Sequence, residues 1–518
     1  MTFEVDPRTA LNKLAFGPGA AERHDIAKAG LEGWLVQQLK PPAEDDCTAR
    51  IAAAHLRLKY TSKTPEAEVD EERPLGVIAQ PIEQHWKTVE TNLPGQERTF
   101  LRSAVAAATL VRAVHSRWQL REVLVDFWHN HFNVNALGDN LVAVALPAYD
   151  RDVIRRHALG NFREMLEAVA TSAAMQIYLN NRSSRGGAAN ENYARELFEL
   201  HTLGRPAYLN ALYNKWRKVP GALEGHPQGY IDQDVYEAAR AFTGWSIEDG
   251  AGIGAGRRLP MTGKFTYVET WHDNYQKRVL ASEFDPYQSP LADGRRVLDL
   301  VADHAATARF VCDKLCRRLV SDTSDPALVA AATKVWTEER RKPDQIARTV
   351  EAIVRSDSFG RSAGAKVKRP IELYASFARA VGIDVTPTPG LLGELDASGQ
   401  RLFGWGPPTG HPDDNDYWLS SNMMRRRWSL LLGLADDAWK AGASGVAPAI
   451  AAKPAPEQAV DAAYRQLLGV EAPAKVTVAI VEGLGLKPGQ PFDARKDALP
   501  LARRMLAYCA MTPAFQTR

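Results

Sequence analysis

Two stretches of this chain concentrate residues able to move protons or hold a ligand. The first is Phe127-Trp128-His129-Asn130-His131-Phe132-Asn133. On a helix of 3.6 residues per turn, Leu120, Leu124, Phe127, His131 and Val134 share one face, and Glu122, Asp126, His129 and Asn133 another. Val123, Val125 and Trp128 fill much of what remains. A helix apolar nearly all round is a buried helix. Glu122, Asp126 and His129 are therefore expected as a polar stripe inside the protein, where unpaired charge is costly. Such a stripe is either an acid/base or ligand site, or a satisfied internal network in which Asp126 orients His129.

The second stretch runs from Asn190 to Gly204 and holds Glu191, Asn192, Tyr193, Arg195, Glu196, Glu199 and His201. Asn190 is a good N-cap, and Glu191 suits the positive helix start. His201 suits the negative end and Gly204 the stop. The i,i+4 pairs Glu191–Arg195 and Arg195–Glu199 are those of an ordinary stabilised helix. The density of acids, amides and imidazole after a Ser/Gly/Ala loop suggests, beyond that, the wall of a pocket.

As proton carriers we single out His129, Asp126, Glu191 and Glu196, with His129 the strongest. The expected substrate contacts are His131, Asn192, Arg195, His201, Trp128, Trp245 and Asp273. Aromatic rings beside carboxylates suit glycan binding, and paired acids suit glycoside cleavage; each tryptophan taken alone reads equally as core. A divalent metal is the less favoured reading. His129 and His131 are i,i+2 and point about 200° apart on a helix. Glu196 and His201 are five apart, and no His-Glu-x-x-His pattern occurs. No Gly-x-Ser-x-Gly elbow, P-loop or dinucleotide fingerprint is present. The cofactor is left open.

Helical patterns cover most of the chain, so the fold class is mainly α: a large multi-helix domain with a small β-hairpin insertion. Residues 1–440 form the main domain. Within it, 205–228, rich in Pro and Gly, reads as a surface insertion, and 250–280 as a hairpin, with Lys264 to Val268 alternating as a strand does. Residues 60–75 read as a charged, solvated loop, and 404–418 as a stiffened polar loop that could act as a lid. Residues 441–458 read as an Ala/Pro-rich linker, and 459–518 as C-terminal helices packing on the main domain.

Among 518 residues, 64 Lys and Arg stand against 62 Asp and Glu, which points to no polyanionic partner. Lys366, Lys368 and Arg369 are a short basic cluster, not a nucleic-acid patch. The four cysteines form no disulfide framework. No apolar run spans a membrane. The first residues show no signal peptide, so the expected compartment is the cytoplasm, or the periplasm if an upstream start precedes Met1 or a partner carries the chain.

The two stretches resemble the hallmark segments of the bacterial domain of unknown function 1800 family. Other blocks agree in order: Leu14 to Pro18, Tyr149 to Arg151, His157 to Phe162, Asp234 to Trp245, His304 to Leu315, Lys366 to Pro370 and Thr512 to Gln516. The 205–228 insertion departs from the family pattern, as does Tyr275, which stands where relatives often carry glycine. The resemblance implies no catalytic role for any residue. It implies a partner protein encoded nearby, since relatives are often found beside a sulfatase-like family. The combined expectation is a hydrolase-type enzyme with a His/carboxylate pocket acting on a glycan or ester. The alternatives are a metal-dependent enzyme using the same cluster, or a non-catalytic helical scaffold assisting assembly or export.

Overall fold

A computed structural model describes residues 5–63, 66–440 and 445–518. The chain is mainly α, with 25 α-helices and only small antiparallel strand pairs among the described residues. Helix Gly95–His115 is the axis of the core. Its small residues Ala104, Val105 and Ala106 to Ala108 are fully buried, which lets Asn140–Ala148 and Pro370–Val381 pack closely against it. No helix among the described residues is long and apolar enough to cross a membrane.

Helix Asn140–Ala148 starts on Asp139, whose carboxylate accepts from the Leu141 N–H, and carries Pro147 near its end. Proline has no N–H to return to the preceding turn. The chain then widens into a π turn over Tyr149–Arg155. A second π turn, Leu197–His201, ends the helix Glu191–Glu196 begun by the Asn190 cap. Gly204 follows at φ +84°, and a Cβ there would fall 2.5 Å from the Phe310 ring, so both backbone angle and space require glycine.

The expected hairpin pairs Trp245–Asp249 with Met261–Tyr267, and its first strand begins before residue 250. Tyr275 does not adopt a left-handed backbone, so the turn there needs no glycine. The 205–228 segment is a run of 3₁₀ turns whose Val219 and Ala222 pack with Ile231, just beyond it, in a small core of their own.

Two segments differ from the sequence reading. The charged stretch expected as a loop forms a hairpin of His55–Lys63 with Glu66–Pro74. Leu56 and Leu58 face inward, while Arg57 and Lys59 meet Asp70 across the strands. The stretch expected as a linker contains helix Val446–Ala451, and helix Pro456–Leu468 begins within it; residues 441–444 lie outside the described residues. The last helices are tied to the earlier fold by Gln466 donating to the Ala380 carbonyl and Arg427 donating to Gln516.

Candidate functional site

The first hallmark stretch ends the helix Gln119–His131. Its polar stripe lies inside, as its pattern predicts, but its partners differ from the expected pair. Asp126 does not orient His129. It accepts from Arg369 and, at 3.1 Å, from Arg318. Burial alone would raise the Asp126 carboxyl, and the two guanidiniums more than reverse it, so the net shift is downward. His129 turns instead to Asp150, with Nε2 2.9 Å from Oδ1.

Asp150 is the hub of a buried network. Its Oδ2 accepts from Arg155 at 3.1 Å and from Arg112 at 3.4 Å. Arg155 also holds Glu122, and Arg112 also holds Asp45. Burial would raise the Asp150 carboxyl. Arg155, the His129 hydrogen bond and Arg112 outweigh it and hold the group well below the usual carboxylate range. The π turn makes this possible, because it brings Arg155 back over Asp150 five residues away. A carboxylate only accepts, so His129 Nε2 carries a proton, and in the neutral tautomer this leaves the lone pair on Nδ1. Nδ1 has no hydrogen-bond partner among the described residues.

The loop 404–418 is strapped over this helix end. Asn130 donates to the His411 carbonyl at 2.9 Å and accepts from the His411 N–H at 2.7 Å. Asn133 donates to the carbonyls of Trp405 and Pro407, and Tyr178 to that of Gly406. Gly410 sits at φ +73°, and a Cβ there would lie 2.1 Å from the Asn130 carbonyl. The loop is therefore a pinned strap rather than a free lid.

Beneath the strap lies a cavity of about 50 Å³, lined in part by His129, Asn130, Asn133, Arg369 and His411. A second cavity of about 260 Å³ shares Asn130, Arg369 and His411 with it and adds Lys314, Arg317 and Arg318. A third cavity, about 1500 Å³, lies under the 205–228 insertion and touches the hallmark segments only at Leu203.

The two hallmark segments touch through their histidines. His131 Nε2 donates to the His201 carbonyl at 3.0 Å, and the His201 ring packs edge-on to Phe132. Burial pulls both imidazoles down, His201 to about 3, with Lys314 adding to the effect. Both are neutral core histidines at pH 7. Trp128 is fully buried, its indole N–H given to the Ala158 carbonyl. Trp245 is buried between Phe242 and Phe265. Neither ring presents a face to a substrate.

The remaining expected contacts lie on another side. Glu191 and Asn192 are exposed. Arg195 reaches Glu191 and Asp232, each at 3.5 Å. Glu196 is half-buried. Burial raises its carboxyl, Glu199 adds to the rise, and Arg195 opposes it. Asp273 is clamped by Arg240 at 2.9 and 3.0 Å. None of these residues lines the three cavities.

His129, His131, His201, Glu191 and Glu196 do not converge as metal ligands. Among the described residues, the group of metal-binding type that does converge is Asp45, Asp46 and Cys47. Asp45 and Asp46 there already accept from Arg112, Ser116 and Arg117.

Sequence reasoning misses Asp150, Arg155 and Lys314. It also reads Lys366, Lys368 and Arg369 as an ordinary basic cluster, whereas all three are buried. The signal for Asp150 and Arg155 is Pro147 ahead of an Asp/Arg-rich turn. For the cluster it is three cations bounded by Pro370 at a helix start.

No curated protein and no solved structure matches the chain. A family model described as protein of unknown function (DUF1800) matches residues 9–517. With that match running over nearly its whole length, the chain belongs to the DUF1800 family.

Proposed function

We propose that the protein is a hydrolase-type enzyme in which His129, held by Asp150, moves the proton. The observation that carries this reading is the unpartnered Nδ1 of His129, in a small cavity that shares three residues with a larger one. A cavity of about 50 Å³ admits water but no sugar ring. The scissile bond therefore belongs in the larger neighbour, with the water at His129. Nδ1 takes a proton from that water as its oxygen attacks an ester or glycosidic centre. The same proton then goes to the departing oxygen, giving an acid or hemiacetal and an alcohol. Asp150 keeps the tautomer fixed and stabilises the imidazolium that forms between the two transfers. Ester cleavage fits the confined cavities better than cleavage within a long glycan.

The test is a panel of chromogenic esters and glycosides with wild-type protein and His129→Gln. Turnover by wild type, reduced about a hundredfold or more in a variant that is still folded, is the expected result. No turnover on any member, or equal turnover by both proteins, overturns it.

One observation favours a non-catalytic scaffold as second reading. Phe127, Trp128, His131 and Phe132 of the first segment are buried, as are Tyr193, Leu197, Phe198 and His201 of the second. Much of each segment thus serves the core. On that reading His129→Gln lowers stability through the loss of its bond to Asp150, and no substrate is turned over.

A further inference from the structure

The 260 Å³ cavity beside His129 contains more positive charge than its surroundings answer. Lys314 and Arg317 stand i,i+3 on the helix Ala305–Leu319, so they project to the same side. Arg318 and Arg369 form the adjoining wall. Asp126 and Glu372 compensate these two guanidiniums from behind. The one carboxylate lining the cavity, Asp413, is taken by Lys366 at 2.9 Å. Nothing similar answers Lys314 and Arg317. Among the described residues neither makes a hydrogen bond or ion pair, and the Lys314 ammonium has only the face of Phe310, 5.5 Å away.

A second observation points the same way. The Nε and Nη1 atoms of Arg318 and the Nε of Arg369 are buried without a hydrogen-bond partner. Arg318 itself is almost wholly buried, with 2% of its side chain exposed. Buried guanidinium donors are ordinarily satisfied. Cations in the last turns of a helix gain from the helix dipole, which accounts in part for the half-buried Arg317. The dipole does not account for a lysine half-buried beside three guanidiniums, and burial accordingly pulls Lys314 down to about 8.

We propose that this cavity is an oxyanion site that takes the phosphate group of a small phosphorylated substrate. Two cations on one wall without an ion-pair partner, with only the more distant field of Asp413 on Lys314, match a dianion better than a carboxylate. Guanidiniums and an ammonium are the donors that phosphate oxygens accept from most strongly. The volume suits a phosphate with a short attached group and lies below the range of drug-sized pockets, about 300–1,000 Å³. Phosphate binding stands on the cavity alone. That the bound group belongs to the molecule His129 acts on rests on the hydrolase reading above.

The test uses the full chain with inorganic phosphate, sulfate and acetate as separate probes, followed by calorimetry and by thermal melting. Phosphate should bind and raise the melting temperature with concentration, as any ligand of the native state does. Lys314→Gln and Arg317→Gln should each weaken phosphate at least tenfold. Neither removes an ion pair, so their melting temperatures without phosphate should stay close to wild type. His129→Gln should bind phosphate as wild type does. The proposal is overturned if wild type shows no saturable phosphate binding, if both variants bind phosphate unchanged, or if acetate binds more tightly than phosphate. If phosphate binding behaves as expected while His129→Gln leaves turnover unaltered, the hydrolase reading falls and the oxyanion site stands.

Discussion

The two hallmark segments carry similar densities of acid and imidazole, and the fold treats them in opposite ways. Around His129 the charges are drawn inside and paired in three dimensions, with partners from helices far along the chain. Around Glu196 they lie at or near the surface, and the pairs of Arg195 with Glu191 and Asp232 are long and partly solvated. Composition therefore marks both segments, but only the burial of one makes its charges consequential. In a dry interior an unanswered charge is expensive, and near water it is not. Cavity size is no guide to the hallmark chemistry either, since the largest of the three cavities touches those segments only at Leu203.

The largest expected effect comes from the hub of the first segment. Asp150→Ala takes the shared carboxylate from Arg155 and Arg112, which keep only Glu122 and Asp45, and frees His129, and it should lose about 3–5 kcal/mol in urea unfolding at neutral pH. A loss below about 1 kcal/mol would erase the contrast with the surface segment. The pH dependence has a definite sign. The folded carboxyl is held below its unfolded value, so its contribution is complete above the unfolded pKa of about 4 and disappears as pH falls through the folded one. Stability measured from pH 6 downward should therefore fall more steeply in wild type than in Asp150→Asn.

How much of this is legible in the sequence follows from the same contrast. The 3.6-residue period alone puts Glu122, Asp126 and His129 inside, and the caps of the second segment fall where Asn190 and Gly204 predict. Partner choice is not legible. Asp126 meets arginines 192 and 243 residues away, and no local pattern encodes such pairings. Asp150 reaches His129 through a π turn, whose register no α-helical period describes. The 55–74 hairpin is hidden because its alternating charges resemble those of a solvated loop, and they become a strand signal only once Asp70 faces Arg57 and Lys59.

A middle-sized effect tests the strap that covers the first segment. Asn133→Ala leaves the Trp405 and Pro407 carbonyls without their donor. The expected cost is about 1–3 kcal/mol, with faster proteolysis inside 404–418. Unchanged cleavage there would show that Asn130 and Tyr178 suffice to hold the strap. Arg195→Ala, the corresponding cut in the second segment, should cost at most about 1 kcal/mol, because its pairs are partly solvated and long. A loss as large as that of Asp150→Ala would mean the second segment is buried in an assembly.

Glu196→Gln should have the smallest effect on stability and sharpens the comparison most. Its carboxyl is half-buried, and no cation lies within ion-pair distance among the described residues, since Arg195 turns to Glu191 and Asp232. Glutamine therefore strands no charge. Burial, and after it Glu199, raises the folded pKa above the unfolded value. Ionised Glu196 thus opposes folding above that pKa, and the opposition vanishes at acid pH, where the group is protonated in both states. The variant should melt slightly higher than wild type at pH 7, by an amount on the order of 0.5 kcal/mol, and together with it near pH 3. A melting temperature lowered by several degrees would reveal a buried partner and remove the distinction between the segments. If stability behaves as expected, turnover decides the rest. A hundredfold loss would join Glu196 to the chemistry as its second acid, and unchanged turnover would leave the proton transfers to His129, held by Asp150.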